Sequence, residues 1–265
     1  GIDSRVLPGQ AVTVHAADGD LPGVIAMPPA HLLPEDAEDG AVPLKYLLVD
    51  TGLSAAQVAE NVQVGEPVSF ANEPVELAGE TLAGHSLDNR ASLAALTLCL
   101  ESLQSIQHRW DVWAAATVQE ELGLRGARTS AFQLRPDLAI AVDVTFAKGP
   151  GASGWEAFEL GKGLTLGWGA VNHPFLYEQF KALAEKLEIP YHTEILPGRS
   201  GTDGDDLQVV AEGIPTIVLS IPIRYMHTPV EVVALKDIER TARLLTEFAA
   251  MLDDHFLDKI VWDEE

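Results

Sequence analysis

Positive charge is scarce in this chain. Its 265 residues hold 17 Lys and Arg against 40 Asp and Glu, a formal net charge of −23. That balance argues against nucleic-acid and anionic-membrane partners, both of which are bound by clustered cations. Cysteine is nearly missing: Cys99 stands alone, so no internal disulfide can form, and the chain fits a reducing, cytoplasmic compartment. Its place in the apolar run Leu96-Thr97-Leu98-Cys99-Leu100 marks it as core rather than nucleophile. Aromatic residues make up only 6%, too few for the lined cleft of a typical glycoside hydrolase. No apolar run approaches the roughly 20 residues of a membrane span, and no basic segment leads into an apolar one at the start.

With 47% apolar residues, the chain can bury a core, and disorder is excluded. Residues 1–78 read as β-structure. Short β-branched runs (Ala11-Val12-Thr13-Val14, Gly23-Val24-Ile25-Ala26, Tyr46-Leu47-Leu48-Val49) are punctuated by Gly, Pro and Asp. The acidic, breaker-rich stretch Pro34 to Gly40 reads as a surface loop. This spacing predicts a small β-barrel or sandwich.

Residues 79–265 have a different character. Asp88 precedes a helical pattern from Ala91 to Leu103, with Leu93, Leu96, Leu100 and Leu103 on one face. An apolar strand over 112–118 follows, then a helix near 127–132 and a strand over 138–142. Beyond them come a helix over 175–187 stopped by Pro190, a short helix over 206–211 closed by Gly213, a strand over 216–221 and a final helix over 236–252. Apolar strands alternating with helices predict an α/β domain: a mixed, mostly parallel sheet with helices on both faces.

In such sheets ligands bind beyond the carboxyl ends of the strands. The run over 112–118 leads into Glu120-Glu121, the run over 138–142 into Asp143, and the run over 216–221 towards His227. Asp88 opens a helix facing the same rim. Singly, each has a plain structural reading as a solvated side chain, a cap or a turn residue. Together, adjacent carboxylates that follow an apolar strand repel unless a cation compensates, and the set offers the N and O donors of hard or borderline cations. Two cations about 3.5–4 Å apart need a bridging carboxylate and terminal ligands, and a further carboxylate must move the proton. In Glu120-Glu121 one side chain can ligate while its neighbour serves as base. Ser200 lacks a Gly-x-Ser-x-Gly context, so a serine hydrolase is not indicated. Gly201 to Asp206 lacks the spacing of a calcium loop and reads as a capped helix start.

The motifs Ser86-Leu87-Asp88-Asn89-Arg90, Thr117-Val118-Gln119-Glu120-Glu121-Leu122-Gly123-Leu124-Arg125-Gly126-Ala127, Ala141-Val142-Asp143-Val144-Thr145 and Arg224-Tyr225-Met226-His227-Thr228-Pro229-Val230-Glu231 resemble, in this order, the tetrahedral (TET) aminopeptidase family, which includes glutamyl and leucyl aminopeptidases. The resemblance extends to Val6-Leu7-Pro8-Gly9-Gln10 and Gly201-Thr202-Asp203, and so covers almost the whole chain. It implies a metal-dependent aminopeptidase with Asp88 as bridging ligand, Glu120 as general base, Glu121 and His227 on one metal and Asp143 on the other. The metals would be two divalent ions, zinc first, with cobalt or manganese as alternatives. Thr202 and Asp203 would face the peptide substrate. The resemblance also implies an α/β catalytic domain carrying a small inserted β-barrel domain of the dimerisation type, and a homo-oligomer built from dimers, up to a dodecamer.

Two departures stand out. Asn89 occupies the place of a second acidic residue, and the family's His-x-Asp motif, placed ahead of the inserted domain, does not occur. With no Met at position 1, the catalytic region is expected to lack its N-terminal segment. The rival readings are a catalytically incomplete member acting as scaffold or regulatory subunit, and glycoside hydrolysis.

Overall fold

The computed structural model describes residues 2–29, 32 and 42–260; the stretch 34–40, expected as a surface loop, lies outside them. The chain folds as two compact units. One comprises Gly1–Val75 with Ala83–Ser86 and His227–Glu231; the other holds Glu76–Leu82, Leu87–Met226 and Val232–Glu265.

The smaller unit is built on four strands, β1 (Ala11–Ala16), β2 (Gly19–Ala26), β3 (Leu48–Asp50) and β4 (Val68–Phe70), in the order β3-β2-β1-β4. Every pairing is antiparallel. β1 and β2 form a tight hairpin, Ala16 opposite Gly19. Alternation along β1 sends Val12 inward against Leu7 and Ile25, with Leu47 and Phe70 packed on them. The expected barrel is not formed: among the described residues β3 and β4 remain unpaired edges, and the sheet is open. Helix α1 (Ala55–Asn61) departs from the all-β expectation. Its signal is nevertheless present, because Ser54 and Gln57 close a capping box.

The larger sheet has seven strands: β5 (Val75–Leu77), β6 (Thr81–Gly84), β7 (Ala139–Phe146), β8 (Leu164–Gly169), β9 (Tyr191–Leu196), β10 (Thr216–Arg224) and β11 (Glu231–Ala234). The order is β5-β6-β11-β10-β8-β9, with β7 paired to β10. Pairings of β7 with β10 and β8 with β9 are parallel. Those of β10 with β8 and β11 are antiparallel. The sheet is therefore mixed: the parallel pairings are the longer ones, and β11 returns from β10 as an antiparallel hairpin.

Helices cover both faces, as the apolar strands require. Ile217, Leu219, Ile221 and Ile223 point to the side of α2 (Leu87–Leu103), α4 (Pro174–Lys186) and α6 (Leu235–Met251). Val218 points to the other side, where α5 (Gly204–Leu207) lies and where α3 (Arg125–Leu134) joins a smaller cluster through Ala131. Gly204 allows that approach, because a Cβ there would come within 2.7 Å of Val218 Cγ2. Phe180 of α4 stacks on Phe248 of α6 with ring centroids 4.1 Å apart. Both rings are buried in the main core. Phe248→Ala is expected to lower stability by about 3–5 kcal/mol, read as a shifted urea midpoint at unchanged slope.

Two expectations of burial fail. The run over 112–118 forms no strand among the described residues and is largely exposed. On α2 the buried face is Ala91, Ala95, Cys99 and Leu103, whereas Leu93 and Leu100 face solvent. β7 also runs past the predicted end, so Asp143 sits inside the strand with Val144 to Phe146 beyond it. No described helix is long and apolar enough to cross a membrane.

Candidate metal centre

Asp143 is carried by β7, directly beside Ser220 of β10. The α3 and α5 side of the sheet receives its side chain, because parallel neighbours share a face and Ala141, two residues earlier, packs against Val218. It is 8% exposed, and its carboxylate accepts a hydrogen bond from the N–H of Val144 at 2.8 Å. Burial, with the charges of Asp88, Glu120 and Asp203, pushes its pKa up to about 8 against that hydrogen bond.

Asp88 and Asn89 interrupt the first turn of α2 with non-helical dihedrals, and the peptide between them is cis. Asn89 Nδ2 donates to the carbonyl of Val142 (3.0 Å), and Ser92 Oγ to that of Asp143 (3.1 Å). The start of α2 is thus fastened to the strand that bears Asp143.

Glu120 and Glu121 lie in a tight loop and not on an extended strand. Gln119 has φ +60°, the N–H groups of Gly123 and Leu124 both donate to the Glu120 carbonyl at 3.0 Å, and Gly126 N–H closes the loop on Val118 O at 2.9 Å. Gly126 is obligatory, since any Cβ there would overlap the backbone of Val118. Glu120 is half-buried and Glu121 exposed. Burial comes first, then carboxylates (Asp203, Glu121, Asp88, Asp205), in raising the Glu120 pKa to about 7.

Asp203 accepts from Thr117 Oγ1 at 2.6 Å through Oδ2. Its Oδ1 is buried without a hydrogen-bond partner, as is Oδ1 of Asn89. Burial raises the Asp203 pKa as well, against the Thr117 hydrogen bond. Thr202 is buried, and its hydroxyl is engaged within the loop, 2.9 Å from Ser200 Oγ and accepting from Gly204 N–H at 3.1 Å.

His227 occupies the connection between β10 and β11, with φ +63°. Asp88, Glu121 and His227 each offer one ligand atom, and these three atoms lie within 4.8 Å of one another. Asp143 and Glu120 are not in that triplet, though Asp88 acts electrostatically on both. The donor set suits a divalent cation. It combines imidazole nitrogen with carboxylate oxygen, and the carboxylates so close to it that they resist ionisation would be relieved by positive charge.

Sequence reasoning assigned no role to Glu231. It is 2% exposed, and its Oε1 accepts the backbone N–H of His227 at 2.8 Å, bracing a residue held in a left-handed conformation. Its position four residues after His227 was the available signal, but its burial depends on a hairpin that was not foreseen. Glu231→Ala is expected to weaken metal binding about 10- to 100-fold, as loss of a ligand's support does. Glu231→Gln keeps an acceptor oxygen and should recover most of it; calorimetric zinc titrations of the two variants compare them.

The sequence profile of the M42 glutamyl aminopeptidases matches residues 1–244. The lysyl aminopeptidase of Pyrococcus furiosus is 36% identical over 247 residues, covering 92% of this chain and 71% of that protein. A TET aminopeptidase from a marine-sediment thaumarchaeote superposes with TM-score 0.88 at 32% identity, over 98% of this chain and 75% of the other. The TET1 peptidase of Pyrococcus horikoshii, which can assemble into a tetrahedron or a large octahedral shell, gives TM-score 0.81 at 32% identity, over 95% and 75%. The chain belongs to the M42 glutamyl aminopeptidase family of peptidases.

Proposed function

We propose that this chain removes N-terminal residues from peptides at a centre that holds two divalent cations, with Glu120 as general base. The observation that carries the reading is the concentration of carboxylates: burial and the charges of Asp203, Glu121 and Asp88 raise the pKa of Glu120, burial and those of Asp88, Glu120 and Asp203 raise that of Asp143, and an imidazole stands beside Asp88 and Glu121. Asp88 is assigned as the bridging ligand, Glu121 and His227 as ligands of one ion and Asp143 of the other. Zinc is the first choice, and cobalt or manganese accept the same donors. Bound ions would polarise the scissile carbonyl and lower the pKa of a water towards neutrality.

Glu120 is the group left to move the proton, from the attacking water to the leaving amine. Its half-buried place beside the triplet and its pKa near neutrality favour that role. Asp203, with one buried oxygen lacking a partner, is assigned to the α-ammonium of the substrate, and Thr202 to holding the loop that presents it. Residues 1–78 are read as the inserted, dimerisation-type unit and 79–265 as the α/β catalytic region. A homo-oligomer built from dimers and a cytoplasmic setting complete the proposal. They are supported by the shells of the Pyrococcus horikoshii relative and by the single buried thiol.

The test is hydrolysis of a panel of aminoacyl p-nitroanilides with added zinc, cobalt or manganese, alongside a metal count per chain. Near two metals with release of the aniline supports the proposal. No metal and no turnover would favour a scaffold instead.

A further inference from the structure

The smaller sheet has two unlike faces. Alternation along β1 turns Val12 and Val14 inward, where both are buried, and so turns Thr13 and His15 outward. Register brings two partners to that outer face. Asp20 of β2 stands directly opposite His15, and Ser69 of β4 stands opposite Thr13, one diagonal step from His15. The three side chains meet there. His15 Nδ1 lies 2.9 Å from Asp20 Oδ1, and His15 Nε2 lies 2.8 Å from Ser69 Oγ. An ionised Asp20 can only accept, so Nδ1 carries the proton and donates; in the neutral ring Nε2 then accepts from the Ser69 hydroxyl. Hydroxyl, imidazole and carboxylate in this order are a nucleophile, its base and the group that orients the base. Burial does not impose these bonds, since the His15 and Asp20 side chains are 41% and 64% exposed.

We propose that Ser69, His15 and Asp20 form a second hydrolytic site, independent of metal, that takes small esters with a good leaving group. The three groups are held on paired strands, which fixes their mutual geometry. They stand on the open face of a sheet, so little surrounds the reacting carbonyl and reactivity has to come from the leaving group; amides ask for more stabilisation of the oxyanion than activated esters do. Ser69 Oγ attacks the ester carbonyl carbon while its proton passes to His15 Nε2. The bond from that carbon to the leaving oxygen breaks, the alcohol departs with the proton, and Ser69 is left acylated. Water then attacks the acyl carbon through the same base, the proton returns to Ser69 Oγ, and the carboxylic acid is released. Asp20 stays ionised throughout and stabilises the imidazolium.

The experiment treats the whole chain with p-nitrophenyl acetate in EDTA, which takes metal-dependent hydrolysis out of the measurement. An initial burst of p-nitrophenolate is expected, and peptide mass spectrometry should find one acetyl group, on Ser69. That location tests the assignment without any variant. Ser69→Ala should remove both burst and adduct. His15→Gln should slow acylation by about 100-fold or more, the contribution of a positioned base, and Asp20→Asn, which no longer fixes the ring tautomer, should slow it as well. Acetyl groups on lysines or on the imidazole alone, release at the parent rate in Ser69→Ala, or acylation indifferent to His15→Gln overturns the proposal.

Discussion

Replacing Glu120 by Gln should lower kcat by about 10²- to 10⁴-fold, the contribution expected of a positioned proton-transfer group, while zinc content per chain stays unchanged. Glutamine keeps the shape and loses the proton acceptor. Glu120 lies outside the triplet of Asp88, Glu121 and His227, so metal retention separates its role from theirs. Glu121→Gln is the contrasting variant: it removes a ligand, and its activity should return partly as metal is raised. The pH profile adds a second reading. Without cations the Glu120 pKa is pushed to about 7; positive charge nearby favours the carboxylate and draws it down. The acid limb of kcat/KM in the metal-loaded enzyme should therefore fall below pH 7, and Glu120→Gln should erase it. A fully active, fully metallated Glu120→Gln protein would remove Glu120 from the mechanism.

The candidate site was legible where its residues follow apolar runs that form interior strands, as Asp143 and His227 do; the run before Glu120-Glu121 forms no strand among the described residues. β10 is nine residues with no charge before Arg224, and the segment after it had to lie on the rim, which exposed His227 to view. Asp143 was found for the same reason, though Val144 to Phe146 continue the strand and place it within the sheet. Less visible were β8 and β9, also parts of the sheet. Leu164–Gly169 is flanked by glycines that read as turn signals, and Tyr191–Leu196 alternates with polar residues. β11 was hidden by its brevity, and with it the burial of Glu231. Leu93, Leu100 and residues 112–118 are the opposite case. Their apolar pattern predicts burial, yet Leu93, Leu100 and Trp113 are exposed, so local preference and fold disagree there.

Stripped of metal by a chelator, the protein should lose its activity and also acquire an inverted pH dependence of stability. Asp143 has a folded pKa of about 8 against an ordinary 3.8, and Glu120 about 7 against 4.5. Between about pH 4 and 8 the unfolded chain has released those protons and the folded chain still holds them. Unfolding then releases protons, and stability falls as pH rises through that window. The contribution is fully present below the unfolded values and gone above the folded ones. Surface carboxylates repel more strongly over the acidic part of the same range, a chain of net charge −23 being under general strain from like charge. Asp143→Asn separates the two causes: only the site's share should disappear with it. Zinc acts with the opposite sign, because it binds the ionised carboxylates and displaces their protons, so its affinity grows with pH. At a free concentration of 100 times its Kd it adds about 2.7 kcal/mol. Melting temperatures measured from pH 5 to 8 should fall in EDTA and stay level or rise in saturating zinc. A chelated protein whose melting temperature rises with pH across this range would mean that the carboxylates do not meet, and the centre would fall with them.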